Sequence, residues 1–141
     1  MSQEIKAGAI VLLTLGMFAA GLIWISEGFT AAVAGLTRTH SGGEVTVKVT
    51  YLNPQASDAP RFQVVLETHS VDLDSYDLKK LSSLRDGTGK SFEPGQVENK
   101  GSGHHRQVVL SFPRFSSQPK AVEVVIRNIG GVKERSFRWE F

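Results

Sequence analysis

The sequence predicts a mainly β protein. The expected fold is an antiparallel β-sandwich of about seven strands, immunoglobulin-like in size, preceded by one N-terminal transmembrane helix. Three observations carry this expectation. From Glu44 onward, apolar and polar residues alternate in short runs. Clusters of Gly, Pro, Asn and Asp punctuate those runs. Ahead of them, residues 7–26 form an apolar block without a formal charge.

The alternating runs have the two-residue period of half-buried strands. In residues 44–52, Val45, Val47, Val49 and Tyr51 fall on one face, with Thr46, Lys48 and Thr50 on the other. Asn53 to Pro60 is a turn-rich connector. Residues 62–68 turn Phe62, Val64 and Leu66 inward; residues 107–112 group Val108, Leu110 and Phe112; residues 121–128 group Val122, Val124 and Ile126. Gly130-Gly131 breaks the pattern before residues 134–141, where Phe137, Trp139 and Phe141 share a face opposite Arg138 and Glu140. Weaker strands are expected at 81–85 and 91–92, on either side of the hairpin-type Asp86-Gly87-Thr88-Gly89. Asp74 to Leu84 also reads as a short helical turn, with Asp74 as N-cap and Asp77 adding negative charge in the first turn. A small barrel is the alternative arrangement of the same strands. A body of this size can bury a core without staples.

The apolar block of twenty residues is long enough, at ~1.5 Å per helical residue, to cross a hydrocarbon core of roughly 30 Å. Trp24 sits at its far end, where an indole suits the headgroup level. A cleaved signal peptide ending at Ala32-Val33-Ala34, before Gly35, is a competing reading, and a buried soluble helix is another. Against cleavage, the run exceeds a typical signal core of ~7–15 residues, and Lys6 is offset by Glu4. The expected organisation is therefore 1–26 as cytoplasmic start and transmembrane helix, 27–43 as a flexible Gly-containing tether, and 44–141 as an extracytoplasmic sandwich. Lys6 precedes the helix and Glu27 follows it, which favours a cytoplasmic N-terminus and a body facing the periplasm or exterior of a bacterial inner or cell membrane.

Composition excludes several function classes. The net charge is +2, and the Lys and Arg residues are scattered, so nucleic acid is not an expected partner. With no cysteine there is no disulfide framework, thiolate metal site, Cys nucleophile or lipid-modified N-terminal Cys. No G-x-S-x-G elbow occurs, and the Gly87–Gly89 and Gly101–Gly103 segments lack the G-K-[ST] context of a phosphate loop. The chain is therefore not expected to be an enzyme.

The residues that could carry chemistry gather in two segments. His69 leads into Asp72, Asp74 and Tyr76, and His104, His105 and Arg106 open a strand. If the segments meet at one sandwich end, they form a loop cluster for recognising an envelope protein, with no cofactor required. The alternative is a copper or zinc site using His69, His104, His105 and Asp72, since imidazole and carboxylate suit Cu(II) and Zn(II). Successive residues of a regular strand point to opposite faces, so His104 and His105 chelate together only from a loop. Asp72, Asp74 and Asp77 lack the Gly and the twelfth-position Glu of an EF-hand. Ser102 beside His104 is the one Ser–His pairing that a hydrolase reading could use.

The segments running from Thr68 to Leu78 and from Gly103 to Arg106 resemble a family of uncharacterised bacterial membrane-anchored or exported β-sandwich proteins. The resemblance covers most of residues 44–141 and implies fold and location, with no assigned activity. Ser102-Gly103-His104 ahead of a strand is more loosely similar to the Asp-Gly-His of CopC-like periplasmic copper-binding domains, with Ser in place of the acid. Those domains also use a histidine at the mature N-terminus, a role open to His40 only if processing ended just before it. Together these readings lead to the expectation of a single-pass membrane protein whose outward sandwich is a non-catalytic interaction or accessory module. Its partners would be the lipid bilayer, through the N-terminal helix, and envelope proteins.

Overall fold

The computed structural model describes residues 36–55 and 58–141. The expected transmembrane helix, the signal-cleavage alternative and the first part of the tether lie outside the described residues. Among the described residues, no helix is long and apolar enough to cross a membrane.

The described residues form nine strands and one short helix. They are β1 (Thr37–Gly42), β2 (Val45–Tyr51), β3 (Arg61–Thr68), α1 (Leu78–Leu81), β4 (Ser82–Asp86), β5 (Ser91–Phe92), β6 (Gln96–Gly101), β7 (His105–Ser111), β8 (Ala121–Ile129) and β9 (Val132–Glu140). They build two antiparallel sheets, ordered β1-β2-β3-β7-β6 and β5-β4-β8-β9. The sheets pack face to face as a β-sandwich. Their inner faces are the alternating residues read from the sequence. Val47, Val49, Phe62, Val64, Leu66, Val108, Leu110, Val124 and Ile126 are fully enclosed. Aromatic rings join the sheets: Phe62 stacks on Tyr51 at 4.3 Å and lies 5.3 Å from Trp139 of the opposite sheet.

The registers define two poles. At the near pole, where residue 36 joins the sandwich, Thr37 pairs with Thr50, Tyr51 with Phe62, and Ala121 with Glu140. At the far pole, Gly42 pairs with Val45, Val45 with Thr68, and Ile129 with Val132. Two tight hairpins close the far pole. Gly43 and Glu44 have φ of 58° and 60°, and Gly130 and Gly131 have 59° and 74°. Positive φ at both central residues is the geometry of a type I′ turn, whose twist suits a two-residue hairpin.

Several expectations need correction. Residues 37–42 of the expected tether are strand β1, paired with β2 along its whole length. Its side chains are mostly exposed, so no apolar period marks it in the sequence. Strand β6 was not anticipated for the same reason; it is an exposed edge with an irregularity between Asn99 and Gly101. The helical turn starts later than expected. Its N-cap is Asp77, whose Oδ1 accepts the amides of Lys79 and Lys80, and Asp74 is committed elsewhere. Phe141 lies beyond the end of β9 and is 54% exposed, off the core face assigned to it.

The far-pole hairpins meet backbone to backbone. A Cβ at Gly43 would overlap the carbonyl oxygen of Gly130, whereas one at Gly131 meets nothing within 4 Å. Gly131→Ala should therefore cost about 1–2 kcal/mol, the left-handed backbone penalty alone. Gly43→Ala should cost clearly more and lower the melting temperature by about a further 5 °C or more. Equal melting temperatures for the two variants would refute this account of the pole.

Candidate functional site

All seven residues of the expected loop cluster sit at the far pole, built on the segment that carries the chain from β3 across to β4. The segment begins at Thr68, buried at the end of β3. Its hydroxyl donates to the Glu44 carbonyl at 2.8 Å and accepts the amides of Ser70 and Val71. Asp72 Oδ1 then accepts the Asp74 amide at 3.1 Å, a local turn of the kind short acidic side chains favour. Leu73 and Leu78 are buried and pin the segment to the core.

Arg106 holds this segment against β7. It donates through one terminal nitrogen to the carbonyls of Leu73, at 2.6 Å, and Tyr76, at 2.7 Å. The Asp74 carboxylate accepts the Gly103 amide at 3.2 Å, and the Thr68 amide donates to the His104 carbonyl. The Tyr76 hydroxyl accepts the Gly130 amide at 3.0 Å, tying the same segment to the β8–β9 turn. The two segments singled out in the sequence do meet. Three of the seven residues, Asp74, Tyr76 and Arg106, form the framework of the pole. His69, His104, His105 and Asp72 project from it, all exposed.

The three histidines do not converge on one site. His104 borders a shallow depression of about 340 Å³ with Ser70, Asp72 and Gly103. His69 and His105 border a separate one of about 250 Å³ with Glu44 and Glu67. His104 and His105 part because β7 begins between them, and successive strand residues face opposite ways. Among the described residues, no three His, Asp or Glu side chains are disposed to hold a metal ion. The expected set of His69, His104, His105 and Asp72 is thus not assembled.

Charge at the second depression is organised around Glu67. Lys48 bonds its carboxylate at 2.8 Å and holds it below the usual carboxylate range, with His105 Nδ1 3.8 Å away. This gives the depression a fixed anion beside two exposed imidazoles, an arrangement suited to polar contacts with a partner.

A cleft at the near pole was not anticipated. It encloses about 330 Å³ between the β4–β5 turn and the segment 115–120. Phe92 and Phe115 meet edge to face at 5.9 Å on its wall, and Lys90 Nζ lies 5.0 Å from the Phe92 ring centre. Asp86 shapes the turn, its Oδ1 accepting from Thr88 N, Thr88 Oγ1 and Lys90 N. The Thr88 hydroxyl is the main reason the Asp86 carboxyl lies below the ordinary aspartate range. The available signal was two phenylalanines stranded among Gly, Pro, Ser and Asp, outside the long alternating runs.

These features define a β-sandwich of two antiparallel sheets with a braced loop cap at one pole. No protein-family model, curated protein or solved structure matches the chain. The two resemblances noted above rest on the quoted segments alone.

Two predictions follow from the local geometry. Arg106→Met keeps the aliphatic stem but leaves two carbonyls without their charged donor, an interaction of about 1.5–3 kcal/mol. Amide exchange across residues 73–78 should accelerate about tenfold or more while β8 amides change less; a uniform acceleration would remove Arg106 from the bracing role. The second concerns acid. A depressed carboxyl stabilises the fold above its unfolded pKa, and that stability is lost as pH falls through the folded value. The difference in melting temperature between the wild type and Asp86→Asn should therefore be constant above about pH 5 and shrink towards pH 2. A difference that stays level across that range would contradict the role given to Asp86.

Proposed function

We propose that the chain is a single-pass, membrane-anchored, extracytoplasmic β-sandwich acting as a non-catalytic interaction or accessory module of the cell envelope. The observation that carries this reading is the opposition of the two poles. Leu36 joins the sandwich at the near pole, its carbonyl held at 2.9 Å by the Trp139 indole. His69, Asp72, His104 and His105 project from the far pole. An apolar block anchored upstream of Leu36 would hold the near pole and leave the far-pole loops to meet a partner. Loops set on a rigid scaffold are the usual carriers of recognition.

The immunoglobulin-like reading rests on strand order. The orders β2-β3-β7-β6 and β4-β8-β9 correspond to the ABED and CFG sheets of a constant-type immunoglobulin domain, with β1 and β5 as added edges. The non-catalytic reading rests on the lack of a nucleophile motif in the sequence and on the division of the histidines between two depressions.

Photo-cross-linking in membranes tests the proposal. A photoreactive residue at His104 in the full chain should give a discrete adduct with another membrane-fraction protein, and one at Gly89 should not. The chain should also resist carbonate extraction. No adduct at the far pole, or the same adducts from both positions, would overturn the far pole as the recognition end.

A further inference from the structure

We infer that the near pole is itself a bilayer-contacting surface, with Leu52 and Phe141 seated in the interfacial region of the membrane that anchors the chain. The inference rests on the anchored reading proposed above and adds an orientation to it. Among the described residues, Leu52 and Phe141 are the large hydrophobic side chains left exposed, at 42% and 54%. Both lie at the near pole. Leu52 follows the last residue of β2, and the Phe141 amide donates to the Lys120 carbonyl beside the start of β8. The Phe141 ring meets Tyr51, the neighbour of Leu52, at 6.0 Å.

The position of the incoming chain selects the occupant. Leu36 is at this pole, ten residues on from Ser26, the end of the apolar block. Even fully extended, ten residues reach at most about 36 Å. The path is also fixed on the protein side. Trp139 Nε1 holds the Leu36 carbonyl, and the Arg38 guanidinium lies 5.7 Å from the Trp139 ring centre. A membrane segment ending at Ser26 therefore keeps this pole, where the chain enters the body, within reach of the lipid.

Two side chains alone would not hold a detached domain on a membrane. A short tether changes that, because it converts docking into an intramolecular event at an effective concentration on the order of millimolar. Leu and Phe are residues that suit the boundary between headgroups and acyl chains. Charge at this pole is partly matched: Arg114 bonds Asp58 at 3.0 Å and Arg138 bonds Glu140 at 2.9 Å, while Lys90 and Lys120 are exposed. The docking contact itself is apolar, made through Leu52 and Phe141.

The chain contains no cysteine, so a single introduced thiol labels one site. Full-chain Leu52→Cys, Phe141→Cys and Lys133→Cys would each carry bimane and be reconstituted into phosphatidylcholine vesicles containing a shallow doxyl-labelled lipid. Lys133 is an exposed far-pole residue and serves as the reference. The expected result is at least twofold stronger quenching at position 52 or 141 than at 133. Weak, equal quenching at all three sites in protein that floats with the vesicles would overturn docking while leaving the anchor intact. Labels at 52 and 141 shielded from both the lipid quencher and aqueous iodide would assign the pole to a second copy and overturn the inference. Protein that does not float with vesicles would overturn the anchored reading and the inference with it.

Discussion

The buried indole of Trp139 sets the frame for the rest of the molecule. It stands on β9 with 2% of its surface exposed, 5.3 Å from Phe62 and 5.9 Å from Tyr51 of the opposite sheet. An indole in such a place needs a partner for its N–H. That partner is the carbonyl of Leu36, a residue with no strand partner of its own. One side chain thus joins the sheets to each other and fixes where the preceding chain meets the body. Strand β1 starts at the next residue and runs in register along β2 to the far-pole turn. The near pole is consequently a defined direction of arrival, and the far pole is defined by contrast with it.

The far pole solves a different problem with a different side chain. Arg135 is 1% exposed and has no carboxylate partner among its hydrogen bonds; burial pulls its pKa below the ordinary arginine value. A buried cation of this kind is costly unless its donors are used. Two are used well. They reach the Ile129 and Gly42 carbonyls, both at 2.7 Å, while Nε has no partner. Those carbonyls belong to the two hairpins that close the pole, one from each sheet. Arg135, Arg106 and the Tyr76 hydroxyl all bond main-chain atoms there, so the pole is braced through the backbone. The side chains of His69 and His104 can then vary in contact without loosening the brace.

The contrast between these poles explains what could be read in advance. Strands β2, β3 and β9 each bury one face, and β7 and β8 bury the same core face together with Val109, Ala121 and Val125; burial of that core face writes a two-residue period into the sequence. Strands β1 and β6 are sheet edges with little buried on either face, and they left no such period. Arg135 was legible in parity, because it stands two residues before Phe137 and four before Trp139 on the same face. A cation contradicts the apolar pattern around it, so its burial shows only in the structure. At the candidate site, the meeting of the His69 and His104 segments was legible as two loops at strand ends. Their geometry was not, because the division of His104 from His105 depends on where β7 begins. The sequence places the cap at Asp74, whereas the observed cap is Asp77. The choice of Asp77 depends on Asp74 being taken by the Gly103 amide, a contact across 29 residues of sequence. The cleft at Phe92 and Phe115 needed the same kind of long-range information, since its walls come from two separate connections.

Strand length finally decides how independent the two ends are. Strand β8 spans nine residues from Ala121 to Ile129, roughly 30 Å at ~3.3 Å per residue. The screening length at physiological salt is ~8 Å, so exposed charges at one end have almost no electrostatic effect at the other. Between them lies a core of Val, Leu, Ile and Phe with few polar groups to relay a signal. A sandwich of this kind transmits position well and charge poorly. That division suits the proposed anchored module, with one end oriented by the arriving chain and exposed imidazoles and carboxylates at the other. The ion pairs that do run along the body, Glu123 to Arg85 to Glu134 to Arg127, lie on the outer face of the second sheet and leave the apolar core between the two ends unbroken.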